Sequence, residues 1–485
     1  MKNTKVLGNT ILYAIKTISS MLIPLITFPY VSRVLSPEGI GKYNFSNSVM
    51  TYFISLAGLG VSAYAIREGS RIRDKRQEFN DFANEVYSIN VISTIVSLSV
   101  LALLIFVVPQ FKEYRIILFI LAFSVPLATI GVEWIFNIYE DYLYITIRSI
   151  GSQLLSVVLL FCLVHNENDL IIYCSIVTLS TSGARVLNFV RARNILKLRF
   201  VVNSNLKKHI KPILILFFSA VATQLCINAD SIMLGFMKSD YEVGIYAAST
   251  KIYSIIRAVL ISFVTVITPS LSNLFGNNIS MYYKKVNSYL KSFILFIFPV
   301  AVGLICVGGD LIFLLCGNEY MGSVSSLQFL AVALFISVLG SFIANTVLII
   351  ARREKIILFA TCVGGAVNVL FNVLLIPRFS YVGAAIATLI SELFILLIQA
   401  IVCNQIVKLK IFDKDMFKVA FAAGGIVIVC FGVYALIDGL GFRLVGSIGC
   451  SVCVYYFILV LLKHSAIREV NVLVRGKIDR FLRKQ

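Results

Sequence analysis

Eight ionisable residues stand inside or at the edge of long apolar runs: Lys16, Arg33, Glu133, Arg185, Asp230, Lys251, Arg257 and Glu392. A charge at the centre of a membrane-spanning helix costs roughly 2.5–3.5 kcal/mol on insertion scales, so such residues turn inward, pair, or line a polar path. Lys251 and Arg257 share one run and would together cost ~5–7 kcal/mol if both faced lipid. Arg257 lies about thirteen residues into that run, too deep to snorkel easily. Asp230 and Lys251 flank a short turn at similar depth, as a static ion pair or as a charge switch. Glu392 lies some ten residues into its run. Lys16, Glu133 and Arg185 lie within one or two turns of a run's end, where long side chains can reach water. Arg33 closes the first run, and Asp310, beside Gly308 and Gly309, reads as a helix cap. Pro24 and Pro29 fall in the first run, where each removes a backbone donor and bends the helix, as a hinge or as a static kink.

The elements that hold these residues follow from composition. The chain has 485 residues, 59% of them hydrophobic and 14% charged, with a mean hydropathy of +0.91. Soluble domains carry roughly 25% charged residues, so this chain lacks the charge to cover a water-facing surface. Its apolar runs are continuous rather than alternating, which excludes a β-barrel and predicts an all-α polytopic membrane protein. Fourteen spans are expected, at about 9–33, 44–65, 82–108, 116–137, 149–164, 170–190, 212–236, 244–270, 289–309, 324–350, 356–376, 382–403, 419–437 and 444–462. The loops between them are too short for a separate soluble domain. The first run is too long for a signal-peptide core and has no small-residue cleavage site behind it.

Metal and ATP chemistry find no support in the motifs. Cys162, Cys226, Cys306 and Cys430 lie within apolar runs and read as packing residues, as do Cys450 and Cys453 of a CxxC inside a span. The three histidines, His165, His209 and His464, are scattered and form no HExxH. No metal site, cofactor or P-loop is expected, so energy must come from an ion gradient, the membrane potential or consumption of product.

The net charge of +19 has a topological reading. With the N-terminus cytoplasmic, 32 of the 43 Lys and Arg fall on the cytoplasmic side, 7 on the other side and 4 within spans. That is the positive-inside pattern, and it argues against nucleic-acid binding. Both termini are then expected in the cytoplasm. In the tail, Ile467, Val470, Val474, Ile478 and Phe481 recur at helical spacing between arginines, predicting a basic amphipathic helix on the inner leaflet.

The chain also repeats itself. GKYNFSNSVM from Gly41 and GIYAASTKIY from Gly244 share Gly41/Gly244, Tyr43/Tyr246 and Ser46/Ser249 at an offset of 203. That offset is six spans with their loops, as in transporters built from parallel repeats with the substrate between the halves. The expected division is a six-helix lobe at 1–206, a second at 207–405, two further helices at 406–463 and the basic tail at 464–485.

Three segments carry a family resemblance: FPYVSRVLSPEGIGKYNFS from Phe28, EWIFNIYEDYLYITIRSIGSQLLS from Glu133, and NVLFNVLLIPRFSYVGAAIATLISE from Asn368. The segments NADSIMLG, with Asp230, and VGIYAASTK fit as well. Together they resemble the polysaccharide-transporter branch of the multidrug/oligosaccharidyl-lipid/polysaccharide exporter superfamily, and within it the O-antigen flippases called Wzx. The likeness covers the first twelve spans; the last two fit by number alone. It implies two six-helix lobes around a central cavity plus two C-terminal helices, alternating access, and coupling to H+ or Na+. It implies a bacterial inner-membrane flippase, not an enzyme, that moves undecaprenyl-diphosphate-linked oligosaccharide to the outer leaflet for O-antigen or related surface polysaccharide. Its partners would be membrane lipids and, in assembly, a polysaccharide polymerase and a chain-length regulator. Arg257, Lys251, Arg33, Lys16 and Arg185 would be the substrate-binding cations, since a diphosphate calls for positive neighbours. Asp230, Glu392 and Glu133 would be coupling or switch carboxylates, and Pro24 and Pro29 hinges. A multidrug or cation antiporter of the same superfamily is the alternative, although several intramembrane cations disfavour cationic drugs. A membrane enzyme of polysaccharide assembly would need a catalytic outer loop, and the outer loops are about six to twelve residues.

Overall fold

The computed structural model describes residues 2–202, 206–409 and 414–465, and among them every regular element is a helix. The tail helix expected at Ile467–Phe481 lies outside the described residues. Among the described residues, ten stretches are long and apolar enough to cross a membrane. Two of them hold a pair of expected spans each. α1 (Lys2–Gly58) is broken at Ser36, where φ is 58°, and continues through α2 (Val61–Ile72). α14 (Glu354–Ile406) is broken at Ser380, where φ is 48°. Proline stands beside each break, at Pro37 and Pro377. Pro24 and Pro29 lie within α1 without such a break. The expected fourth span is cut into α4 (Arg115–Ala122), α5 (Ser124–Ile130) and α6 (Glu133–Ile138).

The chain forms two compact units, Met1–Ala247 and Ala248–Gln485. In the first, α3 (Arg76–Val107) lies against α1 through small polar residues. Asn90 Nδ2 and Ser93 Oγ donate to the Ala57 carbonyl at 2.7 and 2.5 Å, and Ser97 Oγ donates to the Phe53 carbonyl at 2.7 Å. Thr94 and Thr129 hydroxyls meet at 2.5 Å. In hydrocarbon the helices gain nothing by hiding apolar surface from lipid, so side-chain hydrogen bonds and close packing hold them together. One end of this unit carries a buried cluster of Tyr64, Phe79, Phe82, Trp134 and Phe136. Beside it, the Tyr64 hydroxyl meets His209 Nδ1 at 2.7 Å, and His209 Nε2 meets Glu85 at 2.9 Å, which ties α2 and α3 to the start of α10 (Leu206–Met237).

The repeated glycines meet here. A Cβ on Gly41 would lie 1.8 Å from the carbonyl oxygen of Asp240, and a Cβ on Gly244 would lie 1.9 Å from that of Pro37. Asp240 stands at the same offset from Pro37 as Gly244 from Gly41, so the crossing is reciprocal. Each partner contributes a glycine and receives the other's helix start. Ser36 and Ser239 precede those starts, a further match at the same offset. α11 (Asp240–Asn277) opens on the Ser239 backbone N–H donating to Glu242 at 3.0 Å. The repeat is therefore a backbone-to-backbone contact that only glycine permits.

The second unit holds most of α11, then α12 (Ile279–Cys316), α13 (Ser323–Ile343), α14, α15 (Lys414–Leu436) and α16 (Leu440–Leu461). Asp310 is not a cap: α12 runs on to Cys316, and Arg443 of α16 forms a bidentate pair with the Asp310 carboxylate. Cys450 and Cys453 face outward from α16 rather than packing within it.

Gly41→Ala and Gly244→Ala should each destabilise the fold by about 1–3 kcal/mol or more, because the added methyl meets backbone that cannot swing aside. Gly424→Ala, where nothing lies within 4 Å, should be neutral. Melting temperatures of the purified variants in detergent check this.

Candidate functional site

In the first unit the structure assembles a cluster from four separate elements. The chain leaves α5 at Gly131, and Val132 then adopts φ 36° before α6 begins at Glu133. A β-branched residue in the left-handed region costs of order 1–3 kcal/mol and persists only where its surroundings impose it. Val132 is buried, and a Cβ on Gly131 would meet the Arg185 side chain at 2.8 Å. This break turns Glu133 back into the bundle.

Three cations surround it. Lys16 of α1 donates from Nζ to Glu133 Oε1 at 2.8 Å. Arg148 of α7 (Tyr142–Leu163) places Nη2 3.6 Å from Glu133 Oε2. Arg185, at the start of α9 (Arg185–Ile195), lies within electrostatic range of both Glu133 and Arg148. The cluster thus holds one carboxylate and three cations, an excess of two positive charges. The Arg148 side chain is only 7% exposed, whereas Lys16 and Glu133 are 26% and 32% exposed. Lys16 and Glu133 are therefore open to a neighbouring space while Arg148 is sealed behind them. Arg148 Nε has no hydrogen-bond partner in the structure.

A second constellation stands in the other unit. Arg257 Nε donates to Ser337 Oγ at 2.7 Å. Glu392 lies near the Ser337 hydroxyl and within electrostatic range of Arg257. Ser337 is buried, and Arg257 and Glu392 are half-buried. The two charges expected in the eighth and twelfth spans thus share Ser337 of α13 as a neighbour.

The other expected residues are placed apart from these clusters within their units. Asp230 of α10 is buried and accepts from the Tyr246 hydroxyl at 2.5 Å. It belongs to the first unit and Lys251, half-buried on α11, to the second. Arg33 is exposed. Lys16, Glu133 and Arg185 do not simply snorkel; they converge. Sequence reasoning missed Arg148, because its own charge shortened the apolar run and placed the fifth span's start at 149. α7 in fact begins at Tyr142, which carries Arg148 nearly two turns into the helix. It also missed Ser337, since a lone serine in an apolar helix carries no signal without its neighbours.

A helical membrane protein with buried, unbalanced charge and helices broken beside proline has the construction of a multi-pass transporter. The fold agrees. The chain matches an inward closed structure of the lipid II flippase MurJ with a TM-score of 0.77, at 16% identity, over 94% of this chain and all of that one. It also matches an inward-facing multidrug resistance MATE family transporter of the MOP superfamily with a TM-score of 0.57, at 13% identity, over 82% of this chain and 97% of that one. Residues 6–275 match the family described as polysaccharide biosynthesis protein, and the chain belongs to that family. Two putative O-antigen transporters are similar in sequence. One, from Escherichia coli (strain K12), is 24% identical over 55% of this chain and 64% of its own length, so the match spans less than two thirds of that relative. The other, from Shigella dysenteriae, is 24% identical over 78% of this chain and 95% of its own length.

Glu133→Gln should leave Lys16, Arg148 and Arg185 facing one another without a counter-charge. Breaking a buried pair costs up to about 3–5 kcal/mol, and the partial exposure here lowers the expectation to about 1–3 kcal/mol. Adding Arg148→Gln should recover part of that loss. Thermal unfolding of the single and double variants reads the coupling.

Proposed function

We propose that this protein is a flippase for lipid-linked oligosaccharide in the inner membrane of a bacterium. The cargo carries the undecaprenyl-diphosphate group and crosses from the cytoplasmic to the outer leaflet by alternating access, supplying O-antigen or a related surface polysaccharide. The observation that carries this reading is the cationic excess around Glu133. In a low-dielectric setting, two uncompensated charges favour an anion, and a diphosphate matches them in sign and magnitude. Lys16 and Arg185 hold the phosphate oxygens, and Arg148 lies behind them as fixed positive charge. Arg guanidinium groups suit this task because their planar fork matches phosphate geometry. Glu133 occupies the cations when cargo is absent and yields them when it arrives.

Ion coupling fits the second constellation. Glu392, within electrostatic range of Arg257, is a carboxylate that H+ or Na+ would release from its arginine. The positive-inside distribution supports a cytoplasmic position for both termini. The relatives named as O-antigen transporters and the family membership support the substrate class. The fold shared with multidrug transporters keeps a drug or cation antiporter as the second reading. A cavity with surplus cations would repel cationic drugs.

The test is complementation in a host deleted for this gene. Arg148→Gln and Lys16→Gln should each cut surface polysaccharide at least tenfold at unchanged protein level in the membrane, and Lys16→Arg should retain most of it. Full activity of both glutamine variants would remove the cluster from the substrate path. A host that keeps its polysaccharide and instead loses tolerance to cationic compounds would favour the antiporter.

A further inference from the structure

A basic pocket of about 760 Å³ opens in the second unit, between the first turns of α12 and the last turn of α14. Lys284, Asn287 and Lys291 line it from α12, Asn404 lines it from α14, and Lys408 and Ser465 close its rim. Asn287 Nδ2 donates to the Lys408 carbonyl at 3.3 Å, which fixes the rim to the helix. One carboxylate stands behind it. Asp415 is engaged by Lys418 at 2.9 Å, by the Ser465 hydroxyl at 2.5 Å and by Lys291 at 3.7 Å. With its charge divided among these partners, Asp415 leaves the pocket with a positive balance at Lys284 and Lys408. Its volume falls in the range of small-molecule sites.

Both flanking helices change from polar to apolar on leaving the pocket. Along α14, Leu393, Leu397 and Ile401 recur every fourth residue as exposed apolar side chains, the next rung is Gln405, and Lys408 follows just past the helix end. Along α12, the face that bears Lys284 and Ser288 continues two further rungs on with exposed Phe296 and Val300. Phe296 is 65% exposed and Ile401 is 64% exposed. The pocket therefore lies where two lipid-facing stripes give way to lysine. A soluble anion has no use for the stripes. An amphiphile with a phosphate head and apolar chains satisfies both.

We propose that this pocket binds the phosphate headgroup of an anionic membrane lipid, with its acyl chains laid along the α12 and α14 stripes. The site is separate from the Glu133 and Arg257 clusters and does not depend on the transported cargo. It would fasten the loop at Lys408, and with it the start of α15, to the leaflet surface.

The test is thermal unfolding of the full chain in a non-ionic detergent. Three titrants are compared at equal concentration: dihexanoyl phosphatidylglycerol, dihexanoyl phosphatidylcholine and sodium phosphate. The phosphatidylglycerol should raise the melting temperature at a concentration at least tenfold lower than either of the others. Lys284→Gln with Lys408→Gln should abolish that advantage, and Lys75→Gln with Lys112→Gln, two exposed lysines elsewhere, should keep it. Equal responses of wild type and the pocket variant would overturn the site. An equal shift from sodium phosphate would overturn the lipid as its source. Should the pocket variant not fold, a photoreactive phosphatidylglycerol on the wild-type protein decides. Label on peptides spanning 283–291 and 404–408 supports the site, and label elsewhere refutes it.

Discussion

A single carboxylate shared among three cations governs the first unit. Glu133 brings together α1, α6, α7 and the start of α9, and the backbone is distorted at Val132 to deliver it. Charges in an apolar setting are costly unless satisfied locally, and Arg148 in particular is nearly sealed from solvent. One carboxylate for three cations does not complete that task. The remaining positive charge favours an anion, and that surplus is the feature on which the proposed cargo rests.

The same economy of charge appears in the second unit with a different balance. Arg257 and Glu392 are matched one to one, and Arg257 is held by the Ser337 hydroxyl. A matched pair needs no added anion to balance it. The two constellations thus differ in charge balance, one with surplus cations and one matched. The reciprocal approach of Gly41 to Asp240 and of Gly244 to Pro37 shows how closely the repeated segments must pack for helices broken at Ser36 to start where they do.

Much of the fold was legible in the chain because hydrocarbon imposes long continuous apolar runs, and those runs can be counted. Gly41 and Gly244 stood out as matching positions at an offset of 203, and each lies against the start of the other's helix, Gly41 against Asp240 and Gly244 against Pro37. The placement of charge was legible only in part. Lys16, Glu133 and Arg185 were visible as intramembrane charges, but each read alone looked like a side chain reaching for water. Their convergence depends on the turn at Gly131 and Val132, which no local pattern announces. Arg148 hid by ending an apolar run that the helix itself continues through. Asp310 read as a cap because its partner, Arg443, lies 133 residues away.

The central claim is that the cationic cluster serves the movement of lipid-linked oligosaccharide between leaflets. The most direct measurement is the sidedness of labelled repeat units in membranes from a host deleted for this gene. The account predicts that lipid-linked oligosaccharide accumulates on the cytoplasmic leaflet, and that the intact gene returns it to the outer leaflet. An unchanged distribution between the leaflets, with or without the gene, would contradict it.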